Sequence, residues 1–131
     1  MKTKITFGIA GLVATSMAYG SAVNLIEGYR NAGAGPFSPD AGRSAWIQEH
    51  QSSSGVGARS CASCHGADLT QPGRHVKTGK SIEPMALSVN PVRLTGPKKV
   101  EKWFRRNCRW TLGRECTPQE KGDFIQFMIS Q

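Results

Sequence analysis

Acidic residues are scarce in this chain: 9 Asp and Glu stand against 17 Lys and Arg, giving a formal net charge of +8 over 131 residues. Cysteine is scarcer still, at four, which is too few for a miniprotein held together mainly by disulfides. Internal repeats and low-complexity tracts are absent, which leaves out solenoids and arrays. Beyond the N-terminal stretch, no apolar run approaches the roughly 20 residues that a spanning helix needs. The length leaves room for one domain and no second core. What remains is 38% hydrophobic and 20% charged, with 15 Gly and 7 Pro. That is an ordinary globular composition with generous loops, and it argues against disorder, collagen and coiled coil.

The first residues read as a targeting segment. Met1-Lys2-Thr3-Lys4 is a positive start, Ile5 to Ala18 is apolar, and Ala18-Tyr19-Gly20 or Gly20-Ser21-Ala22 supplies small residues for cleavage. The alternative, an N-terminal membrane anchor, needs a longer apolar stretch than this one. The expected division is therefore 1–22 as a signal peptide and 23–131 as the folded domain, exported to the periplasm with no stable membrane insertion. Removing residues 1–22 takes away two lysines and no acid, so the mature chain stays basic.

Export changes how the cysteines are read, because thiols in an oxidising compartment are expected to be paired or ligated. Cys61-Ala62-Ser63-Cys64-His65 is the C-x-x-C-H pattern of c-type haem attachment. Two thiols at this spacing can form thioethers to the two haem vinyl groups, and the next residue then offers its imidazole to the iron. His65 is the expected proximal ligand and the cofactor is one covalent haem c. A zinc half-site would need a second ligand pair at similar spacing, and Cys108 and Cys116 are too far apart for a usual knuckle. A thioredoxin-like dithiol would need alternating strands and helices, which the pattern does not give. Cys108 and Cys116, with Gly113 between them, can close into a disulfide worth about 2–3 kcal/mol in the loop-entropy account. Two free thiols are the alternative.

The coarse organisation is helical with long loops. Leu25, Ile26 and Tyr29 suggest a short helix over Asn24 to Asn31. A better one runs from Asp40, as cap, to Gln51, with Ala45, Trp46 and Ile47 as its apolar stripe. Gln51 to Ser60 is rich in Ser and Gly, a flexible lead into the haem motif. Residues 66–99 hold four of the seven prolines and no sustained period, so they read as loop wrapped around the haem. Gly96-Pro97 can open a helix with Pro where its missing N–H costs nothing. Thr117-Pro118-Gln119-Glu120 is a capping box opening a last helix with Phe124, Ile125 and Met128 on one face. The fold expected is all-α, a small class I cytochrome c with long haem-wrapping loops.

Function turns on the sixth iron position. Met85, in Pro84-Met85-Ala86, offers the thioether common in electron-transfer cytochromes c, although a Met in apolar surroundings is also ordinary core filler. His75 lies between Arg74 and Lys77, in a solvated turn. Met128 belongs to an apolar stripe. On the helix after Pro97, Val100, Trp103, Phe104 and Asn107 share one face, and an amide on such a face needs a partner. From pattern alone, a satisfied buried hydrogen bond explains Asn107 better than iron does.

Several runs resemble one group of c cytochromes. They are Thr78-Gly79-Lys80-Ser81-Ile82-Glu83-Pro84, Val100-Glu101-Lys102-Trp103, Arg106-Asn107-Cys108, Gly113-Arg114-Glu115-Cys116-Thr117-Pro118 and Glu120-Lys121-Gly122-Asp123. The group is the sphaeroides haem proteins, high-spin cytochromes c that bind oxygen, and the resemblance covers about residues 23 to 131. It implies a class I cytochrome c fold, haem on Cys61 and Cys64, and proximal His65. It also implies Asn107 as sixth ligand of the ferric iron and a disulfide between Cys108 and Cys116 that frames it. Met85 falls at a position that is not a ligand in that group, and a Met there is a departure that keeps a Met-ligated carrier open.

A neutral amide suits ferric iron better than the softer ferrous ion. Reduction is therefore expected to free Asn107 and open a site for oxygen, nitric oxide or carbon monoxide. Lys98, Lys99, Lys102, Arg105, Arg106, Arg109 and Arg114 surround this helix. Such a run is ordinarily a solvated face, but it also suits an acidic redox partner. The resemblance implies a dihaem cytochrome c and a membrane b-type cytochrome as associates, and nucleic acid is not an expected partner. Three readings stand: a gas-binding haem protein reduced by another cytochrome, a plain electron carrier with Met85 on the iron, and an enzyme acting on oxygen, peroxide or nitric oxide. For the last, neither His50 nor His75 can be placed relative to the haem from sequence.

Overall fold

The computed structural model describes the backbone of residues 10–51 and 57–131 and the side chains of residues 19–51 and 57–131. Five helices appear among them: α1 (Ala10–Asn31), α2 (Pro39–Ile47), α3 (Ala62–His65), α4 (Pro97–Leu112) and α5 (Pro118–Ser130). Two antiparallel ladders of two residues each complete the regular structure. One pairs β1 (His50–Gln51) with β2 (Ala58–Arg59), and the other pairs β3 (Gly73–Arg74) with β4 (Ser81–Ile82).

The core forms where α1, α2, α4 and α5 meet. Leu25, Ile26 and Tyr29 of α1 face Phe124, Ile125, Phe127 and Met128 of α5, and Trp46 of α2 joins them. The sequence placed Leu25, Ile26 and Tyr29 on a helix beginning near Asn24. Within the described residues that helix already runs from Ala10, so the expected boundary at residue 22 falls inside α1. Residues 1–9 lie outside the described part. No described helix is long and apolar enough to cross a membrane.

Two expectations for α2 need correction. Ser38, not Asp40, is the cap: its side chain accepts a hydrogen bond from the Ala41 N–H at 3.2 Å. Asp40 sits in the first turn, where its charge favours the positive helix end. The helix also stops at Ile47 and not at Gln51, with the chain turning extended at Gln48 and His50 entering β1. Only Trp46 of the predicted stripe is buried, whereas Ile47 is half exposed. Of the flexible lead from Gln51 to Ser60, residues 52–56 lie outside the described part, and its two ends pair with each other, His50 with Arg59 and Gln51 with Ala58.

The C-terminal half follows its local signals closely. Pro97 opens α4 behind the Gly96 cap, and Gly113 closes it. Residues 66–96 wrap without a helix, interrupted only by the β3–β4 ladder and turns. At α5 the Thr117 hydroxyl accepts from Glu120 N–H at 3.2 Å, while the Glu120 carboxylate accepts from Thr117 N–H at 2.8 Å. Arg114 adds a two-pronged pair to the same carboxylate at 2.7 and 2.9 Å.

Arg114 first, together with the donors of the capping box, holds the Glu120 carboxyl at about 2, against burial acting the other way. A depressed folded pKa stabilises the fold above the ordinary Glu value, and that contribution is lost as pH falls towards 2. Glu120→Gln is therefore expected to cost about 1 kcal/mol at neutral pH, the exposed setting holding the figure down. The gap to the parent should close as pH drops to about 2, as read from urea midpoints.

Candidate functional site

The C-x-x-C-H run lies on a single helical turn. Cys61 stands at the N-terminal cap of α3, Cys64 lies on the helix and His65 is its last residue. One turn of helix brings the first thiol, the second thiol and the imidazole within one local unit, which is the geometry double thioether attachment requires. Both cysteines are free and half-buried. Burial first of all, and then the neighbouring Cys64, push the Cys61 thiol up to about 11, with its own backbone hydrogen bond opposing. No cluster of three or more His, Cys, Asp or Glu side chains able to hold a metal occurs among the described residues, so the zinc reading lacks its other ligands.

His65 is set up as a neutral ligand. Burial above all, with the Arg93 charge adding to it, lowers its pKa to about 4, so the ring is uncharged at neutral pH with a lone pair free to bind. Its Nδ1 is buried with no hydrogen-bond partner. Such an orphaned polar atom is unusual in a finished interior, and a haem against this ring would account for a histidine tuned in this way. The donor set therefore fits haem c: two thiols and a neutral imidazole on one turn.

Three contacts hold that turn in place, none of them indicated by the sequence. The Trp46 indole N–H donates to the Gly66 carbonyl at 2.9 Å, and its ring lies 5.4 Å from that of His65, centroid to centroid. Trp46 in turn packs edge-on against Phe124 and Phe127 of α5, tying the motif to the main core. On the other side, a Cβ on Gly73 would stand 2.2 Å from the Cys64 carbonyl oxygen and 2.8 Å from His65 Cα. Only glycine lets the β3–β4 ladder lie this close to the motif. Arg93 is held by the carbonyls of Pro84 and Glu83, at 3.0 and 2.6 Å.

The sixth-position candidates sit in different surroundings. Asn107 lies on α4, exposed, and its amide has no hydrogen-bond partner among the described residues. The satisfied buried amide is therefore not what the fold contains. On the same face Val100 and Phe104 pack against the core, while Trp103 is 46% exposed. Cys108 and Cys116 are bonded to each other, with their Cα atoms 5.6 Å apart, linking the residue after Asn107 to the approach of α5. Met85 is half-buried and packed against the core, with its N–H on the Leu69 carbonyl at 3.0 Å. Met128 is a core residue at 2% exposure.

The two other histidines are also placed. His75 is not a freely solvated turn residue, because its Nδ1 accepts from Lys77 N–H and Thr78 N–H at 3.2 and 3.3 Å. Its ring lies 6.3 Å from that of Trp110. His50 is half-buried in β1. Around α4 the cations are largely exposed. Glu115 pairs with Arg109 at 2.7 Å and reaches Arg105 at 3.7 Å, while Lys98, Lys99, Lys102 and Arg106 have no carboxylate partner among the described residues.

Residues 32–128 match the family described as Domain of unknown function (DUF1924). The chain is 40% identical over 111 residues to cytochrome c-type protein SHP of Cereibacter sphaeroides, covering 85% of this chain and 84% of that one. It belongs to the sphaeroides haem protein family. The solved structure of oxidised SHP, described as an oxygen binding cytochrome c, superposes with a TM-score of 0.76 at 39% identity, over 84% of this chain and 96% of that one. Oxidised cytochrome c'' of Methylophilus methylotrophus gives a TM-score of 0.75 at 32% identity, over 85% and 94%. The fold is thus the all-α cytochrome fold, and the protein is a c-type cytochrome with covalently bound haem c.

Proposed function

We propose that this cytochrome binds small diatomic ligands on its reduced haem, with Asn107 as a sixth ligand that lets go on reduction. Cys61 and Cys64 attach the haem and His65 is the proximal ligand. The haem, when bound, would supply a redox-active iron able to bind a small gas. The observation that carries the reading is Asn107: an exposed amide with no hydrogen-bond partner among the described residues, on a face of α4 shared with Val100, Trp103 and Phe104, at the position that the resemblance assigns to the ligand.

The side chain's chemistry supports both halves of the cycle. The amide oxygen is a neutral, hard-leaning donor, adequate for ferric iron and poor for ferrous. Once released, the same amide offers its N–H to an incoming gas, worth about 1 kcal/mol. The Cys108–Cys116 bridge limits how far the backbone beside it can travel. Oxygen is the first ligand to test, since SHP is described as an oxygen binding cytochrome c, with nitric oxide and carbon monoxide as analogues.

Residues 1–22 are read as a signal peptide, placing the mature cytochrome in the periplasm. Its reductant is read as an acidic cytochrome, of the dihaem c type, docking on the basic face around Lys98, Lys99, Lys102 and Arg106. Opposite charges raise encounter rates while leaving complexes short-lived. The test is an optical spectrum of the matured holoprotein, ferric and then ferrous, with and without carbon monoxide. A high-spin ferrous form that shifts sharply with carbon monoxide is expected. A low-spin ferrous spectrum indifferent to the gas would replace this reading with a carrier ligated by Met85.

A further inference from the structure

Arg59 is 7% exposed, and it is the one basic side chain among the described residues that is both buried and without an anion. Among the described residues no carboxylate lies within 4 Å of it and none accepts a hydrogen bond from its side chain. Its guanidinium carbon sits 3.9 Å over the Trp110 ring, so the planar group is fixed in orientation. Contact with an aromatic face is favourable but does not meet the guanidinium's N–H donors as a carboxylate would. A cation taken out of water in this way is costly unless an anion meets it.

Its place in the chain says which anion. Arg59 is two residues before Cys61, at the end of β2. Trp110 lies one turn beyond Asn107 on α4, on the same side of that helix. The Arg59–Trp110 stack therefore spans from the attachment motif to the helix that carries the sixth-position residue. The haem that joins Cys61 and Cys64 brings two propionate carboxylates with it. A guanidinium fork suits a carboxylate better than any other common anion. Arg93 is the competing cation, but it is half-buried and already committed to the carbonyls of Pro84 and Glu83.

We infer that Arg59, oriented by Trp110, is a carboxylate site for a haem propionate. The inference rests on haem attachment at Cys61 and Cys64, and not on which group occupies the sixth position. Its electrostatic consequence is direct. A cation that neutralises a propionate removes negative charge from beside the iron, so its loss favours the ferric form.

Spectroelectrochemistry of the matured holoprotein tests this, comparing Arg59→Gln and Arg59→Lys with the parent. In Arg59→Gln the ferric-to-ferrous ratio at fixed potential should rise about tenfold, a fall in midpoint of about 59 mV for a one-electron couple. Arg59→Lys should recover most of the loss. The propionate bending band in the resonance Raman spectrum should move in both variants, because lysine keeps the charge but not the two-pronged geometry. If Arg59→Gln does not mature, the Raman band of Arg59→Lys decides by itself. An unmoved band, or an unchanged midpoint in Arg59→Gln, overturns the inference. So does a parent midpoint that shifts with added phosphate while the Arg59→Gln midpoint does not, since the site would then serve an external anion. Loss of covalent haem at Cys61 and Cys64 in the parent would instead remove the premise, and the pyridine haemochrome spectrum reads that separately.

Discussion

Asn107→Ala is expected to change the ferric spectrum of the holoprotein, by removing the proposed sixth ligand of its iron, while leaving the ferrous spectrum nearly as it was. The asymmetry follows from the ligand chemistry: an amide that holds ferric iron and not ferrous iron is missed in only one oxidation state. The ferrous oxygen complex should dissociate about fivefold faster, the effect of one lost hydrogen bond of about 1 kcal/mol. The fold should be little affected, within about 0.5 kcal/mol, because Asn107 is exposed and bonds to no described side chain or carbonyl through its amide. Stopped-flow oxygen release and the two static spectra measure these effects, and a urea midpoint controls for folding. An unchanged ferric spectrum would transfer the sixth position to Met85.

Gly42→Ala is expected to be among the most destabilising single substitutions, costing about 3 kcal/mol as overpacking against an unyielding neighbour. A Cβ there would lie 2.1 Å from the Asp123 carbonyl oxygen, 2.6 Å from the Asp123 carbonyl carbon and 2.9 Å from Phe127 Cβ. Two of the three atoms are backbone, so no side-chain rotation relieves the clash, and α2 must move away from α5. Trp46 is one turn further along α2, and its N–H on Gly66 and its ring beside His65 move with it. The substitution should therefore lower the urea midpoint and also broaden or shift the haem absorption bands. A midpoint within about 0.5 kcal/mol of the parent would mean that α2 and α5 are not held as closely as described.

These two residues differ in how they could have been found. Asn107 was readable as a polar residue interrupting an apolar helical face, and the surrounding runs pointed to its family. Gly42 carries no sequence signal at all. A glycine inside a helix reads as a weak helix former, and the backbone of α5 that forbids a larger residue is distant in the chain. Trp46, Gly73 and Arg59 are of the second kind. Trp46 was placed on an apolar stripe with Ile47, yet only one of the two is buried. Arg59 adds only to the basic balance in sequence, and the fold turns it inward over Trp110.

The sequence by itself determined the chemistry that depends on near neighbours. Two thiols and an imidazole on one helical turn, the capping box at Thr117 and Glu120, the proline start of α4 and the basic run around it need only local backbone geometry. The tertiary structure decided what depends on residues far apart in the chain meeting. Ser38 proved to cap α2, α1 extended well before Asn24, Asn107 was left without a hydrogen-bond partner among the described residues, and a buried cation came to rest beside the attachment motif. Local signals act through hydrogen bonds and spacings within a few residues, so they survive in the sequence. Burial and close approach are set by the packing of α1, α2, α4 and α5 against one another, which no short stretch of sequence contains.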